Sequence, residues 1–571
     1  MKNFEVARVL RNISILLDMD DVPFKPRAYE KAALSIEALE EDLEDIYAKG
    51  SAKALKQIPG VGESIAEKIE ELIKTGKLEY YEELSKKVPV DLESLSAVEG
   101  LGPKKIKVLW EKLAIMNMED LEKAALAHKI SELPGFKKKT EVNILKAIDF
   151  AKKSKGRYIL GFTLPLIRSI EERLRNVPDV KRVVASGSVR RWKETIGDVD
   201  FLVLTEDSSK VMEYFTSMPE VMQVIEKGKT KSAVKLKTGM NADIRTLPEK
   251  SFGAALQYFT GNKDHNIVLR RIAQDKGWKL SEYGIFKKNK QIAGKTEEEV
   301  YQKLELQWIP PELRENTGEI DAARKGTLPK LVELKDLKGD LQVHSSWTDG
   351  QNSIREMAEQ ARKNGLEYIV ISDHAKYLAM TGGLDEKKLL EQGEEIDQTN
   401  KKLDGITILK GVELNILKDG SLDISDTILK ELDVASAAVH SHFDMPREEM
   451  TKRVLKAIEN PNLDILIHPT AREIQKREPI ALDLEKVIAV AKENGTILDI
   501  DSYPDRLDLR DEHIRKAVQA GAKLGISSDS HSTAHLHYLE FGVAQARRGW
   551  ATAEDIVNTR KLEQFKKMLK Q

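Results

Sequence analysis

The chain has 571 residues, with 92 Lys and Arg against 94 Asp and Glu and a formal net charge of −2. At about 150 residues per domain this length accommodates three or four domains, and a composition 41% hydrophobic and 33% charged excludes a disordered, collagen-like or histone-like chain. The absence of cysteine excludes disulfides, zinc–thiolate fingers, iron–sulfur clusters and a thiol nucleophile, so any metal must be held by His, Asp, Glu or backbone oxygens.

Residues 3–49 read as helices, with Val6, Leu10, Ile13 and Leu17 at helical spacing. Three related pieces follow: Ile58-Pro-Gly-Val-Gly-Glu-Ser-Ile-Ala-Glu-Lys-Ile69, Val98-Glu-Gly-Leu-Gly-Pro-Lys-Lys-Ile-Lys-Val-Leu109 and Leu133-Pro-Gly-Phe-Lys-Lys-Lys-Thr-Glu-Val-Asn-Ile-Leu145. Each is a Gly-containing turn before a helix with one apolar face, repeated at roughly 35–40 residues, which marks an internal repeat. Such turns aim backbone N–H groups outward at a helix N-terminus, where a phosphate can sit without any base being read. Gly60, Gly62, Gly100 and Gly102 are the expected contacts to a phosphate backbone; the third copy lacks the second Gly. The basic stretch 152–157 reads as a hinge. From 158 to 248 helix and strand alternate, with strands expected at 181–186 and 199–204. Residues 252–306 read as a polar helical segment, and the three prolines, glycines and charges of 308–334 place the main linker there. Beyond Gly339, short apolar strands at 368–371, 407–409, 465–468, 496–500 and 524–527 alternate with helices, an α/β barrel pattern.

The strongest motif is Gly187-Ser-Val-Arg-Arg-Trp-Lys-Glu-Thr-Ile-Gly-Asp-Val-Asp200. Asp198 and Asp200 flank Val199 at the mouth of an apolar strand, so their side chains project to one face about 6.5–7 Å apart. Carboxylates so placed can hold two cations about 3.5–4 Å apart, which neutralise triphosphate charge, activate a 3′-hydroxyl and stabilise departing pyrophosphate. Gly187 and Ser188 can offer a backbone N–H and a hydroxyl to phosphate oxygens, and Arg191 a charged clamp. Asp243, in Asn241-Ala-Asp-Ile-Arg245, fits the third carboxylate expected on a neighbouring strand. Asp-x-Asp alone is common in surface turns. The whole string, with Gly197 before the acids, is the pattern of the nucleotidyltransferase superfamily, which gives the chemistry and leaves the substrate open.

Histidine is unevenly spread: of 11, only His128 and His265 precede residue 340. The others cluster at apparent strand ends: Gly339-Asp-Leu-Gln-Val-His344, Thr348-Asp-Gly350, Ser372-Asp-His374, Gly411-Val-Glu413, Val439-His440, Ile467-His-Pro469 and Ser528-Asp-Ser-His531. Parallel barrel strands converge at their C-terminal ends. Imidazoles and carboxylates gathered there suit Mn²⁺, Zn²⁺ or Fe²⁺, and bound metal supplies hydroxide for attack on a phosphodiester. His513 reads as a surface residue, and His442, His535 and His537 stay outside the expected set.

The repeats are similar to helix-hairpin-helix motifs. The first, preceded by Phe24-Lys-Pro-Arg-Ala-Tyr29, resembles the N-terminal domain of family X DNA polymerases. Tyr258-Phe-Thr-Gly261, Asn266, Arg270 and Lys227-Gly-Lys-Thr-Lys231 resemble the same family's thumb and palm segments. That resemblance implies that Tyr258 and Phe259 lie under the sugar of the incoming nucleotide, that Gly261 belongs to the same subsite, that Asn266 meets the nascent base and that Arg270 meets the template side. It also implies that Lys68 matches a lysine that forms a Schiff base with a cleaved abasic sugar, although Ser64 stands where animal members carry a neighbouring lysine. A reactive lysine needs burial or nearby cations, which Lys25 and Lys31 could supply. The last part resembles a polymerase and histidinol phosphatase (PHP) domain. This implies up to three divalent metals held at positions matching Gln342, His344, Asp349, His374, Glu413, His440, His468, Asp529 and His531, with Gln342 in place of the first His of the usual His-x-His.

The resulting expectation is a bacterial family X DNA polymerase with a C-terminal PHP domain. Its fold is multidomain: a helix-hairpin-helix N-terminal domain (1–82), fingers with further hairpins (83–157), an α/β nucleotidyltransferase palm (158–248), a thumb (249–316), a linker (317–333) and a distorted (β/α)7 PHP barrel (334–571). The implied function is gap filling in base excision repair, with Mg²⁺ or Mn²⁺ in the palm, gapped or primer–template DNA and dNTPs as partners, and metal-dependent 3′-5′ exonuclease, 3′-end or abasic-site endonuclease chemistry in the barrel. An inert, structural PHP domain and a non-templated nucleotidyltransferase are the alternatives. No run of about 18 apolar residues occurs, and residues 1–12 lack the apolar core of a secretory signal. We therefore expect a cytoplasmic monomer without a membrane partner.

Overall fold

The computed structural model describes residues 3–570 other than 38, 40, 41, 97, 99, 100, 155, 379 and 380; Gly100 thus lies outside the described residues. From Asn3–Met19 to Lys138–Ser154 the chain is helical. Val6, Leu10, Ile13 and Leu17 form one face of the first helix and are buried in a single core that runs from Val6 to Ile148, across the expected divide at residue 82. The helices Glu63–Thr75 and Pro103–Leu113 begin at Gly62 and Gly102, as the repeats predict.

Seven short strands build the palm: β1 (Tyr158–Ile159), β2 (Val180–Ala185), β3 (Thr195–Ile196), β4 (Asp198–Thr205), β5 (Val221–Lys227), β6 (Lys231–Leu236) and β7 (Asn241–Leu247). Five of them form one sheet in the order β2-β4-β7-β6-β5, and β1 pairs with β3. Along β4, Val199, Phe201 and Val203 are buried in the palm core. The alternation of a strand turns Asp198 and Asp200 the other way.

Two expectations for the thumb fail. Residues 252–306 are not helical throughout: after the helices Phe252–Thr260 and Lys263–Asp275 come β8 (Lys279–Ser281), β9 (Gly284–Lys287) and β10 (Lys290–Ala293), an antiparallel sheet. Strands of three or four residues rich in Lys show too little alternation to be read against a polar background. Residues 317–333 are not a bare linker. They contain the helix Glu319–Lys325, which buries Ile320 and Ala323 in the thumb core, and Glu319 holds His265 at 2.6 Å. Two helical turns between Gly318 and Gly326 look like loop punctuation in sequence.

The last part is a parallel barrel of β11 (Gly339–Val343), β12 (Tyr368–Ile371), β13 (Thr407–Asn415), β14 (Val434–Ala438), β15 (Ile465–Leu466), β16 (Ile497–Asp501) and β17 (Leu524–Ser527) in sequential order. The sheet nearly closes through a bridge between Val343 and Ser530, with His344 N–H donating to Ser530 O at 2.8 Å. These strands are almost wholly buried, as parallel strands covered on both faces must be. The barrel also shares its interior with the palm: Leu507, Tyr538 and Phe541 belong to the palm's core cluster. Among the described residues no helix is long and apolar enough to cross a membrane.

Candidate active sites

In the palm, β4 and β7 run parallel with Asp200 opposite Asp243 and Asp198 opposite Asn241. Register therefore sets the three carboxylates side by side at one edge of the sheet. Burial and the charges of Asp198 and Asp243 push the Asp200 pKa up to about 6, and burial raises that of Asp243. Crowded, partly desolvated carboxylates of this kind favour divalent cations. Gly187 has φ +65°, and a Cβ there would lie 3.3 Å from Asp200 Oδ2, so a side chain would be strained and would crowd the acids. Ser186 N–H and Oγ both bond Asp200 O, at 2.7 and 3.1 Å. The Gly187-Ser188 turn is thereby tied to the acidic strand, and Gly197 sits just ahead of it, between β3 and β4.

Arg190 and Arg191 diverge from this turn. Arg190 pairs with Glu297 at 2.8 and 2.6 Å, and the wholly buried Arg314 reaches the same carboxylate at 2.6 Å, locking palm to thumb. Arg191 Nε donates to Glu315 at 3.1 Å, and its Nη1 donates to Thr260 O beside Gly261. Tyr258 and Phe259 lie in the last turn of the Phe252–Thr260 helix, their rings 5.2 Å apart, and Phe259 lies under Arg245 at 4.8 Å. Asn266 is buried; its amide donates to Tyr258 O and accepts from Gln257, both at 2.7 Å. Contact with a base would need one of these bonds to exchange. Arg270 is half-buried on the Lys263–Asp275 helix.

In the helical region, a Cβ on Gly62 or Gly102 would meet nothing within 4 Å, which leaves both helix starts open to a phosphate. Gly60, at φ +79°, packs on Lys31 instead. Lys68 Nζ donates to Ser64 Oγ at 3.0 Å and lies 4.9 Å over the Tyr80 ring. Lys31 turns to the barrel, donating to Gln351 O at 3.4 Å.

In the barrel, eight of the nine expected positions converge. The ligand atoms of His344, Asp349, His374 and His531 lie within 4.8 Å of one another; so do those of His374, Glu413 and His440, and those of His344, Glu413 and Asp529. His344 and His531 rings stack at 4.2 Å, and His468 Nε2 lies 3.3 Å from Glu413. Burial by itself would raise the Glu413 pKa, but His374, His344, His440 and His468 hold it well below the usual carboxylate range. Asp529 is likewise held at about 2, against burial, chiefly by His344. His344 Nδ1, His374 Nδ1 and His468 Nδ1 are buried without a hydrogen-bond partner. Buried imidazole nitrogens without partners, shared between carboxylates, fit divalent metals. Gln342 is the exception. Its amide Nε2 donates to Glu413 at 2.8 Å, so it presents a donor where a ligand was expected.

Several residues that sequence reading missed orient this cluster. Asn415 Oδ1 lies 2.9 Å from His440 Nδ1, leaving Nε2 to face Glu413 at 2.7 Å. Asp423 fixes the Asn415 amide at 2.7 Å. His535 Nδ1 accepts from His531 N–H at 3.3 Å, and Arg506 lies 3.7 Å from both Asp501 and Asp529. Only the i, i+4 pair His531 and His535 left a trace in the sequence. His513 is half-buried rather than a surface residue, because its helix packs against the helices Leu484–Asn494 and Leu539–Arg548.

Family models match four stretches: "Helix-hairpin-helix domain" at residues 1–78, "SAM-like Helix-hairpin-helix tandem" at 92–149, "DNA polymerase beta thumb" at 255–315 and "PHP domain" at 340–500. The chain is 36% identical over 575 aligned positions to the DNA polymerase/3′-5′ exonuclease PolX of Bacillus subtilis (strain 168), covering 100% of both chains. The chain belongs to this family, the family X DNA polymerases that carry a PHP domain. The chain is also 32% identical over 225 residues to a probable phosphatase of Thermoanaerobacter sp. (strain X514), spanning 36% of this chain and 84% of that one. A probable phosphatase of Caldanaerobacter subterraneus subsp. tengcongensis is 32% identical over 191 residues, 32% of this chain and 70% of the relative. The polymerase and PHP parts of the chain both imply divalent metal use.

Proposed function

We propose that this chain is a DNA-directed DNA polymerase that fills short gaps, as in base excision repair, and trims 3′ ends at its barrel by metal-dependent hydrolysis. The observation that carries this reading is the presence, in one chain, of two separate acidic centres: a carboxylate triad behind a Gly-Ser turn, and a convergent His/Asp/Glu cluster at the barrel's C-terminal face. In the palm, Gly187, Ser188 and Arg191 would hold the triphosphate of a dNTP, and Tyr258 and Phe259 would wall its sugar. Asp243, more basic than usual through burial, would take the proton of the primer hydroxyl as the O–Pα bond forms and pyrophosphate leaves. Asp198, Asp200 and Asp243 would hold Mg²⁺ or Mn²⁺.

In the barrel, His344, Asp349, His374, Glu413, His440, His468, Asp529 and His531 would hold Mn²⁺, Zn²⁺ or Fe²⁺. These ions, when bound, lower the pKa of water toward 7. Asn415 and His535 keep the imidazoles facing inward, and Arg506 steadies Asp529. The convergence of eight His, Asp and Glu side chains favours a working barrel over an inert one. The open Gly62 and Gly102 turns support sequence-independent grip on the DNA backbone. A cytoplasmic monomer is the corresponding setting. Lys68, half-buried and bonded to Ser64 Oγ at 3.0 Å, would be the nucleophile toward an abasic sugar.

The test is extension and resection of a gapped duplex with Mn²⁺ by full-length protein. Asp198→Ala should abolish nucleotide addition and spare 3′ resection; His344→Ala should do the reverse. Loss of both activities from one substitution, with folding intact, would overturn the two-centre reading.

A further inference from the structure

The palm's phosphate turn is held from behind by the barrel. Arg548 ends the helix Leu539–Arg548, and its side chain is only 2% exposed. Its Nη1 donates to the backbone O of Arg191 at 2.8 Å and to Glu315 Oε1 at 3.2 Å, while Nη2 is anchored by Asp511. The same Glu315 oxygen accepts from Arg191 Nε at 3.1 Å, and the other oxygen accepts from Asn262 at 3.0 Å. One carboxylate therefore gathers the palm, the thumb and the barrel just behind Gly261.

We propose that Arg548, a barrel residue, is a positioning residue for the palm's nucleotide site. The inference rests on the reading of Gly187 to Asp200 as that site. Two effects act in the same direction. Arg548 fixes the Arg191 backbone, and it shares the Glu315 charge, which would otherwise bind the Arg191 guanidinium more tightly and keep it from a triphosphate. Without Arg548 the turn loosens while Arg191 is held back by Glu315. Because Arg191 would meet phosphates in ground state and transition state alike, the loss falls on KM more than on kcat. A second ion pair between the same two domains supplies a control: Arg168, on the helix Leu160–Arg175 and not on the phosphate turn, meets Glu540 at 3.0 and 2.6 Å.

The experiment uses full-length wild type, Arg548→Met, Arg548→Lys and Arg168→Met, with dNTP addition to a gapped duplex and 3′ resection measured on each. Arg548→Met should raise KM for dNTP about tenfold with kcat changed less than about twofold, the scale of one lost charge-assisted hydrogen bond. Arg548→Lys, which keeps the charge, should recover part of the loss, and Arg168→Met should match wild type. Resection reports whether the barrel is intact. If Arg548→Met also loses resection, Arg548→Lys decides: a KM raised by several-fold supports the proposal and an unchanged KM overturns it. Equal KM increases in Arg548→Met and Arg168→Met would likewise overturn it, by showing general loosening between the domains. A wild type that adds no nucleotide would refute the palm reading itself, a separate failure.

Discussion

Removing the Glu297 carboxylate tests the lock between palm and thumb. Its side chain is 4% exposed, paired twice with Arg190 (2.8 and 2.6 Å) and once with Arg314 (2.6 Å). Burial by itself would raise its pKa, but Arg314 and Arg190 outweigh burial and pull it from 4.5 to about 2. A fall of about 2.5 units corresponds to about 3 kcal/mol of folding free energy. Because the folded pKa is depressed, that stability is present above the unfolded pKa and is lost as pH falls through about 2. At pH 3 about half of it should remain. Glu297→Gln leaves the buried Arg314 and the half-buried Arg190 short of an anion, a cost of about 3–5 kcal/mol at neutral pH. Pulsed hydrogen exchange of thumb peptides along a urea titration, at pH 7 and pH 3, reads the difference locally. The variant's thumb should open at lower urea at pH 7, and the gap from wild type should narrow by about half at pH 3. Coincident midpoints at pH 7, or a gap that does not change with pH, would refute the reasoning.

Asn415→Ala should weaken metal retention in the barrel by about 10–100-fold, because His440 loses the partner that aims it; elemental analysis after dialysis checks this, and full retention would count against the assignment. Gly62→Val should weaken DNA binding similarly on all sequences and lower the salt slope by about one unit, as read by anisotropy on unrelated duplexes; a sequence-dependent loss would contradict backbone contact. Cutting the chain at residue 333 should yield two poorly soluble pieces, since Leu507, Tyr538 and Phe541 and their palm partners would face water. Light scattering should show aggregation, and two stable monomeric fragments would disprove the shared interior.

Much of the site was legible because its chemistry is local. Asp198 and Asp200 are two residues apart, and most of the converging barrel residues lie at or just after an apolar strand, so short motifs pointed to them. What escaped was long-range or too short to be periodic. Nothing in the sequence around Asn415 tells that it will face His440, 25 residues on, and Arg548 is an ordinary helix arginine until the fold brings it 2.8 Å from Arg191 O. The strands β8 to β10 and the Glu319–Lys325 helix were hidden by their shortness. Gln342 shows the limit of reading by position: the residue stands where a ligand is expected, yet its neighbour Glu413 uses it as a hydrogen-bond donor.

The side chains that Leu507, Tyr538 and Phe541 insert beneath the palm sheet bear on how such a chain can change over generations. The hydrolase is also a wall of the synthetic half. A lineage could discard every imidazole at the strand ends and still be obliged to keep the barrel, because deleting it would strip the polymerase of part of its own lining.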